Sequence, residues 1–298
     1  MHAINGGIFL KWAKREDYHK FSESAEHLAG KSELADYFRT HDFDVRFEQW
    51  LAEIKQRPDL LITKGTLKIA IEYQCSDISQ LVIRQRTSGY KRSGLRVVWV
   101  PGRRLRAKER SYCIWNKFSQ RYRETLGLFE LRGGRLIFRT WEWCEVFQFD
   151  SLRKEADLLQ REVSRGHRQW RAIISELYQQ KRVMSGIPWE CHVPRLTSKN
   201  LRSPSWLMNL DILLQLEKSS MTITEITSEL RLNNWDDYAL LSREVNQQCY
   251  VSHVLKVWLL YGIVECNGDI YYLKSGPRWF PDTLSKIQAL TGWLDRFH

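Results

Sequence analysis

No pair of cysteines in this chain is spaced Cys-x-x-Cys. The six present, Cys75, Cys113, Cys144, Cys191, Cys249 and Cys266, are too scattered for a zinc ribbon or a disulfide framework. Reduced thiols and no zinc are the expectation. No apolar run approaches the ~20 residues of a membrane-spanning helix. A signal-peptide core is missing as well, because Ile8-Phe9-Leu10 stops at Lys11. Those two absences predict a cytoplasmic protein with no membrane span. Proline is sparse, with seven in 298 residues, and neither repeats nor low-complexity tracts occur. Acid is short of base, 35 Asp and Glu against 46 Lys and Arg, for a net charge of +11 and a pI near 9.4. Such a balance favours a polyanionic partner, nucleic acid first, through phosphate neutralisation and counterion release. Thirteen tryptophans are present. Most are expected in the core, but aromatics interleaved with arginine can stack on bases.

What is there begins with an ordered α-β-β-β-α-β pattern. A helix is expected from Ser24 to Thr40, with Leu28, Leu34, Ala35, Tyr37 and Phe38 inward and Ser22 or Ser24 as cap. Phe43–Glu48 alternates as a strand. Two apolar runs follow, Gln56-Arg57-Pro58-Asp59-Leu60-Leu61-Ile62 and Ile69-Ala70-Ile71-Glu72-Tyr73-Gln74-Cys75-Ser76, each carrying acid. Lys64-Gly65 between them predicts a two-residue hairpin turn. With that turn Asp59 faces Ala70, and Glu72 is its diagonal neighbour about 7–8 Å away. Gln74 shares the face at period two. Two carboxylates and an amide oxygen would then converge, a donor set suited to a hard divalent cation. A helix over Ser79–Lys91 and a strand over Arg96–Val100 complete a mixed sheet flanked by helices, an α/β arrangement.

The ordered string RPDLLI…IAIEYQCSDIS…RQRTSGY…VVWVPG resembles the competence protein CoiA family within the PD-(D/E)XK nuclease superfamily, most densely from Ser22 to Gly102. The resemblance implies a restriction-endonuclease-like fold and a protein acting on incoming, single-stranded DNA in natural transformation, with recombination proteins as candidate partners. As an enzyme it would be a metal-dependent deoxyribonuclease, with Asp59 and Glu72 holding Mg2+ or Mn2+ that activates water. The alternative is a non-catalytic DNA-binding recombination factor on the same fold. Gln74 stands where many superfamily members carry lysine, and an amide can hydrogen-bond water but brings no charge. Lys68 is a candidate substitute. Glu26 and His27 match the Glu-His pair opening the first helix, with Glu33 a rival to Glu26 as the helical acid.

Nucleic acid is expected at His27 and Lys31, four apart on one helix, and at Arg84, Arg86 and Tyr90 on the next. A basic cluster, Arg103, Arg104, Arg106 and Lys108, would add backbone contacts. Each of these also reads as an ordinary solvated face. The family's zinc-ribbon-like segment has no counterpart in residues 1–21, which read as an irregular basic lead-in.

The domains expected are a nuclease-like one over 22–150, with candidate strands at 128–131 and 136–139 extending its sheet, a connecting helical region over 151–199, and a winged-helix-like end over 200–298. The last rests on helices at Trp206–Leu216, Thr222–Leu230 and Val251–Tyr261, then a hairpin around Asn267-Gly268. The third helix is more apolar than basic, so protein contact or packing competes with DNA reading there. A transcription regulator built on this end is a third reading.

Overall fold

Ser24 starts the first helix, accepting the His27 N–H at 3.2 Å with its side chain; a cap of this kind contributes about 1 kcal/mol. The computed structural model describes residues 24–106, 112–123, 125–140, 149–166, 170–194, 204–231, 235 and 237–297. The 1–21 lead-in and Lys108 lie outside them. The chain divides into two units, one of residues up to 122 plus 127–140, the other of 123–126 and residues from 141 on.

The first unit runs α1 (Ala25–Arg39), β1 (Asp44–Phe47), β2 (Leu60–Lys64), β3 (Leu67–Gln74), α2 (Gln80–Arg92) and β4 (Arg96–Pro101). The strands form one mixed sheet in the order β1-β2-β3-β4, antiparallel except for the parallel β3–β4 pair. Alternation sends Leu60, Ile62, Ile71 and Tyr73 to the α1 side, against Leu34, Ala35 and Phe38. Leu61 and Ala70 face the other way, onto Tyr90 and Leu95. Leu28, expected inside, is 52% exposed, because the helix turns its Gly30, Lys31 and Leu34 face to the sheet instead.

The hairpin register differs from expectation. Lys64 pairs with Leu67, so the turn is Gly65-Thr66, and the partner of Ala70 is Leu61 instead of Asp59. Gly65 has φ +58°; a glycine in the first central position is the choice of II′ hairpins. The shift moves the partner by two residues and so preserves the faces.

After α3 (Arg103–Arg106) and α4 (Tyr112–Phe118) come β5 (Gln120–Tyr122), β6 (Thr125–Arg132) and β7 (Arg135–Thr140). These were expected to extend the first sheet. They form a separate three-stranded sheet, β5-β6-β7, whose Leu131, Phe129 and Leu136 pack on the α1-side core. The Gln120 amide holds the β4 edge, accepting from Trp99 N–H at 3.0 Å and donating to Trp99 O at 2.7 Å.

The second unit contains α5 (Phe149–Arg165), α6 (Arg171–Gln179), α7 (Ser205–Leu216), β8 (Met221–Thr222), α8 (Ile223–Ser228), α9 (Arg243–Leu260), β9 (Val264–Asn267), β10 (Ile270–Leu273), α10 (Thr283–Gln288) and α11 (Leu290–Leu294). Thr222 and Glu225 form the expected capping box. Helix α9 starts eight residues earlier than expected, at a Ser242 cap. The strands form an antiparallel sheet, β8-β10-β9. Every residue of α7 is buried. Within the 151–199 stretch, Leu159, Trp170, Ile173 and Leu177 join the α7–α9 core, and Leu152 and Ala156 join a second cluster with Trp189 and Trp293. The polar residues of that stretch occupy the outer faces of α5 and α6, which conceals the apolar stripe in composition. Among the described residues no helix is long and apolar enough to cross a membrane.

This unit also buries a lysine. Lys286 is 0% exposed, with its Nζ 2.6 Å from His192 Nε2 and 4.7 Å from the Trp189 ring centre. Burial pulls its pKa down to about 7 against the charges of Cys191, Glu155 and Glu190. The unfolded chain therefore binds a proton that the folded chain lacks between pH 7 and the normal lysine value, so stability rises with pH above 7. Above about pH 9 the buried Cys191 thiol, raised by burial, opposes the trend. The expected thermal midpoint climbs between pH 7 and 9, and Lys286→Met flattens that climb; an unchanged slope in the variant would refute the assignment.

Candidate functional site

The carboxylates read from sequence meet at the C-terminal end of β3, but they turn to different partners. Asp59 sits one residue before β2, outside the ladder that fixes side-chain direction. Its Oδ2 accepts the Tyr73 N–H at 2.8 Å and lies 3.2 Å from His27 Nε2 on α1. Glu72 lies within β3 and points to α2 like Ala70 before it. It is 3% exposed, and its Oε1 accepts from both Arg86 and Tyr90. Burial pushes the Glu72 carboxyl up to about 7, with the Arg86 charge opposing the rise and the Asp59 charge adding to it.

Gln74 shares the Glu72 face by register, yet its amide donates to Ser76 O at 2.8 Å and Ser76 Oγ at 3.0 Å. It serves the loop after β3. Glu26 closes the site from α1, its Oε1 accepting the Arg103 N–H at 2.6 Å. Beside it lies Cys75, whose thiol is pushed up to about 12 by burial and then by the Glu26 and Asp59 charges. Gly102 makes this close approach possible, since a Cβ there would come within 2.8 Å of both Cys75 Sγ and Glu26 Oε1. Sequence reading missed Cys75 and Gly102; the glycine directly after Pro101 at a strand end was the available signal.

The expected nucleic-acid contacts divide. Arg84, Arg103 and Arg104 are exposed. Lys31 is 3% exposed and pairs with Glu48 Oε1 at 2.7 Å, so its ammonium is committed inside the fold. Tyr90 is fully buried on Glu72. Arg86 turns inward to the same acid, and His27 to Asp59. These four serve the acids before any phosphate. As placed, Glu72 Oε1 is engaged by a guanidinium and a phenol, and among the described residues no three His, Cys, Asp or Glu side chains are grouped to hold a metal ion.

Residues 23–128 match the family model described as "Competence protein CoiA, nuclease-like domain". That stretch, most of the described part of the first unit, is thus similar to the nuclease-like domain of the competence protein CoiA family. Over 80 residues the chain is 36% identical to Competence protein CoiA of Bacillus subtilis (strain 168), a stretch covering 27% of this chain and 21% of that protein. The matched part thus spans about a fifth of that relative's length. No solved structure matches the chain at a significant level.

Proposed function

We propose that this protein acts in the cytoplasm on DNA taken up during competence, as a DNA-binding factor whose nuclease-like domain holds the strand for recombination proteins. The observation carrying this reading is the state of Glu72: the acid that metal-dependent cleavage would need is buried and engaged by Arg86 and Tyr90. The exposed Arg84, Arg103 and Arg104, on a chain of net charge +11, support phosphate binding. In the second unit, the order α7-β8-α8-α9-β9-β10 with a β8-β10-β9 sheet is read as a winged-helix module. Because α9 buries Tyr250, Val254 and Trp258, that module is assigned to protein contact or packing.

A second reading, a Mg2+- or Mn2+-dependent deoxyribonuclease, is favoured by one observation. Asp59 lies close enough to Glu72 for its charge to raise the Glu72 pKa. Asp59 and Glu72 would be the residues holding the ion.

The test is binding and scission of labelled single-stranded and duplex DNA, with and without each metal. Expected is salt-sensitive binding without scission. Replacing Arg103 and Arg104 together by alanine should flatten the salt slope by ~0.7 for each phosphate of a single strand that these arginines neutralise. Metal-dependent scission abolished in Asp59→Ala would establish the second reading, and absence of any DNA binding would defeat both.

A further inference from the structure

The segment between β1 and β2 holds a tryptophan on the outside. Trp50 is 56% exposed, which leaves much of its aromatic surface open for contact. The segment itself is anchored. Leu51 and Gln56 exchange backbone hydrogen bonds, 2.8 Å from Leu51 N–H and 3.3 Å from Gln56 N–H, and Leu51 and Ile54 pack on the α2-side core. Trp50 is thus presented by a pinned loop.

Around it lies an open groove of about 620 Å3 lined by Trp50, Lys55, Gln56, Arg57 and Arg86, within the ~300–1,000 Å3 range of ligand clefts. Its lining is cationic and aromatic with no acid in it. Two of its residues hold polar atoms that find no hydrogen-bond partner within the described residues: Gln56 Oε1 and Arg86 Nε. Arg57 is partly committed, with Nη1 3.4 Å from Glu48. A second hollow adjoins through Gln56 and is lined by Arg84, Gln85, Ser88 and Arg92. Arg84, Ser88 and Arg92 recur every four residues, so they form one stripe along the exposed face of α2, about 12 Å long.

An indole flanked by Lys55 and Arg57, continuing into an arginine stripe, suits one chemistry above others. A stacked base needs an exposed aromatic face, and the phosphates on either side need cations at the spacing of a backbone. A paired base has no face to offer, so the occupant is a single strand. We propose that this groove is a single-stranded nucleic-acid track, with one base stacked on Trp50 and the neighbouring phosphates running over Arg57 and Lys55 to the Arg84–Arg92 stripe. The proposal rests on the DNA-binding reading above and names the surface and the strandedness that it uses.

The experiment measures anisotropy of a fluorescein-labelled oligo(dT) and of a duplex of equal length, with the 298-residue chain and its variants. Trp50→Ala should weaken oligo(dT) binding ~5- to 100-fold, Trp50→Phe should restore most of it, and duplex binding should change little. Replacing Arg84 and Arg92 together by alanine should reduce the single-strand salt slope by ~1.4, two phosphates at ~0.7 each. A circular dichroism spectrum unchanged in Trp50→Ala confirms that the exposed residue was removed without unfolding. If the unmodified protein binds oligo(dT) and Trp50→Ala binds it equally well, the track is overturned while the DNA reading stands. Equal loss on duplex and single strand would overturn the stacking assignment. No binding of either DNA by the unmodified protein would remove the DNA reading, and the track with it.

Discussion

Glu72→Ala is expected to destabilise the first unit by about 3 kcal/mol before any question of catalysis arises. The substitution leaves the Arg86 guanidinium without its carboxylate and the buried Tyr90 hydroxyl without its acceptor. Removing one member of a buried ion pair costs ~3–5 kcal/mol; the low end applies because the Arg86 side chain is 34% exposed. Glu72→Gln keeps an acceptor oxygen of the same reach and should cost ~1–2 kcal/mol, as for a charge-assisted hydrogen bond reduced to a neutral one. Chemical denaturation of both variants checks this. Equal stability of Glu72→Ala and the unmodified protein would mean that the Arg86–Glu72–Tyr90 cluster is not formed. The practical consequence is that lost function in the alanine variant carries a folding defect, whereas Glu72→Gln separates charge from structure.

Gly30→Ala is expected to lower stability by about 2–3 kcal/mol, opposite to what the helix alone would suggest. In an exposed helix interior the same change gains ~1 kcal/mol, because glycine is the poorer helix former. Here a Cβ at position 30 would stand 2.1 Å from Tyr73 Cε1 and 2.3 Å from Cζ. Tyr73 is 4% exposed and packed in the α1-side core, so its ring has no room to withdraw and overpacking follows. The damage should reach the acid cluster: the Tyr73 ring stacks on His27 at 6.1 Å, and its N–H donates to Asp59. A shift of the denaturation midpoint to lower denaturant at unchanged slope is the expected readout. A stabilised Gly30→Ala would show that α1 does not press on β3 at this point.

Local signals carried much of the first unit. Ser24 caps α1 as read from the sequence, α2 starts within one residue of Ser79, and β1 and β4 fall where alternation and apolar runs put them. Such features depend on residues within a few positions of each other. The hairpin turn lies one residue from where the sequence suggests, because Lys64-Gly65 and Gly65-Thr66 are both two-residue loops. The ladder of Leu60, Leu61 and Ile62 on Ile71, Ala70 and Ile69 selects between them. The same happens at the β9–β10 turn, which is Gly268-Asp269 and again begins with a glycine of positive φ.

The sequence by itself determined the order of elements, the caps, the acidic positions and the basic balance, since each follows from neighbouring residues or from composition. The tertiary structure alone decided which way the functional groups turn. Lys31 looked like a phosphate contact and is spent on Glu48; Arg86 and Tyr90 looked like phosphate contacts and close over Glu72; Trp50, among tryptophans expected mostly in the core, stands outside. A side chain's direction is set by what lies opposite it, and those partners are 14 to 18 residues away or more, for example Glu72 to Arg86 and to Tyr90. Burial of charge forces such partners together wherever the fold brings them within reach.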